Sequence, residues 1–307
     1  MKILLFGPNG QVGWELQRAL SPLGEVLTLG RDAKNGITGD LSKLDRLAHA
    51  VRVLAPDVIV NAAAYTAVDR AEEEPRTAAI VNTDAPGLLA EEARAIKAWL
   101  VHYSTDYVFD GSGDHRWKET DAPNPLNVYG ATKLGGERAI QQSGCRFLIL
   151  RTSWVYAARG HNFLRTMLRL AGEERKARVV SDQIGTPTGA ELIADVTAQV
   201  LAVARRNPEL GGLYHVAPTG EASWYDYAKH VLVRARKEGW PIPAIDDTLE
   251  PVSSGAYVTV AQRPRNSRLD CSLLVNTFDL HLPQWQTGVD RTLKELRAGD
   301  FCRGTEK

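Results

Sequence analysis

Four apolar residues, Ile3-Leu4-Leu5-Phe6, run without a break into Gly7-Pro8-Asn9-Gly10-Gln11-Val12-Gly13, and an amphipathic stretch, Gln11–Leu20, follows at once. So short an apolar run, stopped by a glycine turn and continued as a helix, fits a strand buried on both faces of a parallel sheet. The pattern recurs. Val26–Leu29, Val58–Val60, Leu100–Tyr103 and Phe147–Leu150 read as further buried strands, and Leu44–Leu54, Thr83–Lys97 and Val128–Gln142 as further helices. Connections this long exclude hairpins, so the first half predicts an α/β fold with a doubly wound parallel sheet and right-handed crossovers.

Past about residue 155 the alternation loosens. Helices are expected at Asn162–Glu174, Glu191–Arg205, Trp224–Lys237 and Gly288–Arg297, and Pro241, Pro243, Pro251 and Pro264 mark long loops rather than sheet. The expected division is 1–155 for a Rossmann-like sheet domain, to which a later strand and helix return. Residues 156–307 then form mainly a smaller C-terminal substrate-binding lobe.

Charge narrows the partners. Lys plus Arg total 37 and Asp plus Glu total 37, so the formal net charge is zero. Non-specific nucleic-acid and anionic-membrane binders draw on a basic field that is missing here, and neither is an expected partner. No apolar run approaches a bilayer span, and Ile3–Phe6 is too short for a signal h-region, so the expected location is cytoplasmic. Cys145, Cys271 and Cys302 are too scattered for a disulfide framework or a thiolate zinc site. His49, His102, His161 and His230 share no metal-ligand spacing and read as surface or core residues.

The turn itself carries chemistry. In Gly-x-x-Gly-x-x-Gly, Gly7 permits a tight turn, Gly10 lets backbone approach a pyrophosphate, and Gly13 lets the helix pack closely on the strand. The helix N-terminus then offers free N–H groups and partial positive charge to phosphates. The second strand ends at Leu29-Gly30-Arg31-Asp32. Arg at a strand tip favours a ribose 2′-phosphate and Asp a free 2′-hydroxyl, so Arg31 points to NADPH while Asp32 keeps NADH open.

Tyr129 and Lys133 stand four apart at the start of a helix and project from one face. A Tyr hydroxyl titrates near ~10, and lowering it by ~3 units takes about 4 kcal/mol, which a nearby ammonium and an oxidised nicotinamide both help to supply. Lys133 can also hydrogen-bond the nicotinamide ribose. Thr105 follows the fourth apolar strand, at the carboxyl edge where open α/β sheets bind ligands, and could orient a carbonyl oxygen shared with Tyr129. Arg263, Arg265 and Arg268 share a loop short of acids; they suit either a solvated surface or a bidentate clamp on a diphosphate.

Taken in order, these motifs resemble the extended short-chain dehydrogenase/reductases and, within them, the dTDP-4-dehydrorhamnose reductase family. The resemblance spans nearly the whole chain. It also rests on Gly39-Asp40-Leu41, Asn61-Ala62-Ala63-Ala64-Tyr65-Thr66-Ala67-Val68-Asp69 and Ser104-Thr105-Asp106-Tyr107-Val108-Phe109. Downstream it continues through Arg151-Thr152-Ser153-Trp154-Val155-Tyr156, Asp182–Thr188 and Arg263–Asp270.

It implies a catalytic trio of Thr105, Tyr129 and Lys133. It implies cofactor contacts at Gly10, Gln11, Val12, Arg31, Asp40, Leu41, Ala63, Ala64, Tyr65 and Tyr103, beside Gly7, Gly13, Tyr129 and Lys133. Substrate contacts fall on Thr105, Asp106 and Trp154, with Arg263 added from the arginine loop. The implied reaction is hydride transfer from NADPH to C4 of dTDP-4-dehydro-L-rhamnose, with Tyr129 as general acid. The product, dTDP-L-rhamnose, supplies cell-surface polysaccharide such as the O antigen of lipopolysaccharide. Some members hold magnesium between two subunits through three glutamates, which fall here on Glu15, Glu191 and Glu295 and imply a homodimer.

Neighbouring activities share the framework. The dTDP-glucose 4,6-dehydratases carry Thr-Asp-Glu where this chain has Thr105-Asp106-Tyr107, so the glutamate used in elimination is missing. A 4-epimerase keeps its NAD bound through turnover. A non-catalytic NADP-binding regulatory subunit, resembling that of methionine adenosyltransferase, is a further alternative that the intact trio disfavours.

Overall fold

The computed structural model describes residues 1–32 and 37–304, with side chains through residue 298. Its centre is a six-stranded, all-parallel sheet. Five strands come from the first half: β1 Lys2–Phe6, β2 Glu25–Leu29, β3 Val58–Asn61, β4 Trp99–Thr105 and β5 Arg146–Thr152. The sixth, Gly212–His215, arrives 60 residues later and pairs with β5, Leu213 facing Ile149. The order is Gly212–His215, β5, β4, β3, β1, β2. The chain therefore turns one way from β1 to β2 and the other way from β1 to β3, which opens a crevice at the carboxyl ends of β1 and β3.

Strand alternation sorts side chains into two cores. Ile3, Leu5, Val58, Val60, Trp99, Val101, Leu148 and Leu150 face the helices Gln11–Leu20 and Ala190–Ala204. Leu4, Phe6, Ile59, Leu100 and Ile149 face Leu44–Leu54, Ala85–Ala95 and Ile140 of the Val128–Ser143 helix. Each such aliphatic side chain, fully buried, contributes about 1.5–3 kcal/mol from area alone, and a sheet covered on both faces explains the unbroken apolar runs. β2 departs from the expectation. It is the edge strand, paired only with β1, and its side chains are half-buried or exposed rather than buried on both faces.

A third core belongs to the second half, where Leu164, Met167 and Leu168 meet Tyr227, Val231, Leu232, Trp285 and Val289. The helix Trp224–Lys237 starts from a capping box in which Ser223 and Asp226 satisfy each other's backbone N–H groups. The loop expected around Pro251 is instead a short strand, Leu249–Val252, paired in parallel with Ala177–Val180. A two-stranded ribbon is all edge, so Pro251 forfeits no ladder bond. Among the described residues no helix is long and apolar enough to cross a membrane. Cys145 and Cys271 are free thiols, and the side chain of Cys302 lies outside the described residues.

Candidate active site

The glycine turn sits at the crevice. Gly7 has φ +77°, a left-handed conformation that side chains rarely adopt, and its carbonyl accepts from Gly10 N at 3.1 Å. A Cβ built on Gly13 would stand 2.0 Å from that same carbonyl oxygen. Gly10 caps the helix with no side-chain bond, so the first N–H groups of Gln11–Leu20 stay open. Open N–H groups walled by main chain alone suit an anionic group. Gln11 turns its side-chain oxygen to Asn162 Nδ2 at 2.8 Å, tying the turn to the second half. Arg31 and Asp32 are both exposed just past β2.

Other expected cofactor positions hold the crevice together. Asp40 Oδ1 accepts from the Ser42 N–H and hydroxyl, and Leu41 is buried. Ala63 N donates to Asn61 Oδ1, and Ala64 is half-buried. Tyr65 N donates to Asn82 Oδ1 at 2.8 Å, and its hydroxyl reaches Glu74 at 2.9 Å. Tyr103 sends its hydroxyl away, to Thr197 at 2.9 Å, and offers its carbonyl to Lys133 Nζ at 2.6 Å.

Asn82 is a residue that sequence reasoning missed. It lies in a single π-helical turn, Ile80–Asp84, and its Nδ2 also donates to Tyr65 O and Thr132 Oγ1. A widened turn inside a helix is a recurrent mark of functional sites, but no local spacing in the sequence announces it.

The three expected catalytic residues converge. Asn127 caps the Val128–Ser143 helix by accepting from Gly130 N at 2.8 Å, which brings Tyr129 and Lys133 up at its first turns. Tyr129 packs edge-on against Tyr107, ring centroids 5.8 Å apart. Burial pushes its phenol up to about 12, against the pull of the neighbouring Thr105 hydroxyl. Thr105, at the end of β4, accepts from Tyr107 N and donates to Asp106 Oδ1, both at 3.1 Å. Lys133 is fully enclosed, and burial pushes it down to about 8 while Glu137 pulls it up.

Asp106 is buried with Oδ2 lacking any protein partner. Burial pushes its carboxyl up to about 7, opposed by the Ser267 and Thr105 hydroxyls. Beside this edge opens a cavity of about 550 Å³, lined in part by Asp110, Leu126, Gln183, Tyr257, Arg263 and Arg265. That volume suits a ligand of nucleotide-sugar size. Trp154 takes φ +48° and lies flat on Trp224, centroids 3.6 Å apart.

Arg263 and the expected magnesium glutamates meet neighbours within the chain. The Arg263 fork, which suits either a solvated surface or a diphosphate clamp, lines the cavity and pairs with Asp69, Nη1 and Nη2 lying 3.0 and 2.9 Å from its two oxygens. An acid 194 positions away in sequence supplies the partner that the loop lacked. Glu15 and Glu191 do gather, and burial first, then the charges of Glu191 and Glu295, raise the Glu15 carboxyl. Guanidinium groups already serve them, however: Arg291 Nη2 lies 2.6 Å from Glu191, and Arg18 lies 3.7 and 3.9 Å from Glu15 and Glu191. Among the described residues no group of three or more acidic, His or Cys side chains is placed to hold a metal ion. Within one chain these glutamates do not fit a magnesium site.

The family described as "RmlD substrate binding domain" matches residues 1–298. A dTDP-4-dehydrorhamnose reductase of Escherichia coli K12 is 52% identical over 296 residues, covering 96% of this chain and 98% of that protein. The chain belongs to the dTDP-4-dehydrorhamnose reductase family. A family structure from Bacillus anthracis, solved in complex with NADP, superposes with TM-score 0.83 at 32% identity, over 96% of this chain and 99% of that one. A Thermus thermophilus UDP-glucose 4-epimerase with NAD reaches TM-score 0.77 at 20% identity over 97% and 99%, which shows the shared fold alone.

Proposed function

We propose that the protein reduces the C4 keto group of dTDP-4-dehydro-β-L-rhamnose to give dTDP-L-rhamnose, with NADPH as reductant. The observation that carries this reading is the convergence of Thr105, Tyr129 and Lys133 at the carboxyl edge of β4, in a chain of this family. When bound, NADPH supplies the hydride for C4. The open N–H groups of Gln11, Val12 and Gly13 would hold its diphosphate, and the exposed Arg31 would meet the 2′-phosphate that separates it from NADH.

Tyr129 is neutral at working pH because its phenol sits near 12, so it has a proton to give to the C4 oxygen as negative charge develops there. Thr105 orients that oxygen, and the Lys133 ammonium stabilises the phenolate left behind. Asp106 Oδ2, buried without a protein partner, is free to accept from a sugar hydroxyl, and the Trp154 indole, stacked on Trp224, would meet the sugar with whatever part of it that stack leaves open. Arg263 shapes the cavity through its bond to Asp69. No step runs through magnesium. A homodimer is read from the family resemblance and is checked by the mass of the protein in solution. The same resemblance assigns the product to cell-surface polysaccharide supply.

Purified protein mixed with dTDP-4-dehydro-L-rhamnose and NADPH tests the reading through the fall in nicotinamide absorbance. Oxidation should match substrate consumed and release NADP, unlike a 4-epimerase, and should drop about 10²–10⁴-fold in Tyr129→Phe. A wild-type rate no higher than that of Tyr129→Phe would sink the assignment.

A further inference from the structure

Behind Lys133 runs a buried hydrogen-bond chain that the chemistry above leaves unused. The Ala63 backbone N–H donates to Asn61 Oδ1 at 3.2 Å. Asn61 Nδ2 lies 3.2 Å from His102 Nδ1, and His102 Nε2 lies 3.1 Å from Lys133 Nζ. Asn61, His102 and Lys133 are 1%, 1% and 2% exposed, so water is not at hand to repair a mismatched pair.

Counting hydrogens fixes the direction of the chain. A main-chain N–H can only donate, so Asn61 presents Oδ1 to Ala63 and turns Nδ2 toward the ring. That amide nitrogen can only donate as well, which makes Nδ1 the lone-pair nitrogen of His102. Burial and the nearby Lys133 charge hold His102 far below its usual value, so the ring is neutral. A neutral imidazole carries one N–H, which here is on Nε2 and faces Lys133. An ammonium at Lys133 sets donor against donor, whereas an amine offers its lone pair.

We propose that Asn61 and His102 are positioning residues that hold the imidazole as its Nε2–H tautomer and thereby weaken the grip of Lys133 on its third proton. The other groups around Nζ divide. The Tyr103 carbonyl accepts from either form of Lys133. Glu137, one turn along the same helix, favours the ammonium, but its carboxylate is already bound through both oxygens by Arg151 from β5. Desolvation opposes the ammonium, in the same sense as the chain. The Lys133 charge, one helical turn from Tyr129, is therefore present at neutral pH and lost in the mildly alkaline range. This catalytic consequence rests on the proposed role of Lys133; the tautomer does not.

Asn61→Asp is nearly isosteric and reverses the chain. A carboxylate accepts from both Ala63 N and His102 Nδ1–H, so Nε2 becomes a lone pair for the ammonium. Imidazole nitrogen spectra of the ¹⁵N-labelled protein, with the His102 ring assigned through its backbone correlations, should show Nε2–H in the wild type and Nδ1–H in Asn61→Asp. The alkaline limb of the kcat profile should then move up by about one pH unit, a tenfold change in proton affinity. An Nδ1–H tautomer in the wild type overturns the proposal, and so does an unmoved limb in a variant whose tautomer has reversed. If Asn61→Asp does not fold, the wild-type spectrum still decides the tautomer. An Nε2–H tautomer in a protein that oxidises no NADPH supports the chain and removes the reductase reading instead.

Discussion

Replacing Gly13 by Ala probes the cofactor cradle where it is tightest. The added methyl would begin 2.0 Å from the Gly7 carbonyl oxygen and 2.8 Å from its carbon. Backbone on both sides leaves no flexible side chain to yield. Opening the first contact to 3.0 Å takes a shift of about 1 Å between helix start and strand end, against a sheet packed on both faces. Overpacking of this kind costs about 1–3 kcal/mol, and the better helix propensity of Ala returns up to ~1, so the net loss is at most about 3 kcal/mol.

Cofactor use should suffer more. The same shift carries the open N–H groups of the helix off the diphosphate position, and misplacement by ~1 Å costs up to ~10²-fold. The expected result is a 10–100-fold fall in kcat/KM for NADPH with only a modest drop in the urea midpoint. Gly172→Ala is the control, because a Cβ there meets nothing within 4 Å. It should leave NADPH kinetics alone and stabilise by up to ~1 kcal/mol. A Gly13→Ala protein with wild-type NADPH kinetics and an unchanged midpoint would refute the reasoning.

Two further outcomes follow from buried charges. Arg151→Met strands Glu137 in the core and should cost about 3–5 kcal/mol in denaturant unfolding, while Arg151→Met combined with Glu137→Met should recover most of it; equal losses in the two would contradict the pairing argument. Asp106 keeps its proton up to about 7 when folded, against an ordinary value near 3.9. Its contribution to stability is thus full below about pH 4 and is lost as pH climbs to 7, so Asp106→Asn should lower the melting temperature at pH 4 relative to that at pH 8. An unchanged difference between the two would count against the raised carboxyl.

What the sequence made legible was local. The Gly7–Gly13 turn and the Tyr129–Lys133 pair declare themselves because each motif spans at most seven residues and its spacing alone sets the geometry. Helices such as Trp224–Lys237 are bounded by their own caps and match their expected limits. Partners supplied across space stayed hidden. Nothing near Arg263 announces Asp69, nothing near Lys133 announces Asn61, and the apolar run of β2 does not say that the strand will end up at an edge. His102 reads as an ordinary core histidine until β3, β4 and the Val128–Ser143 helix are laid side by side.

The late arrival of Gly212–His215 and of the helix Ala190–Ala204 also has a consequence in time. Until both have left the ribosome, β5 is an unpaired sheet edge, and much of the apolar face formed by Ile3, Val60 and Val101 lacks its cover. The half that supplies five of the six strands is written first but closes only once Gly212–His215 has been made. A growing chain therefore carries a sticky, incomplete sheet through much of its synthesis, and the second half must be threaded out and back before the first can settle.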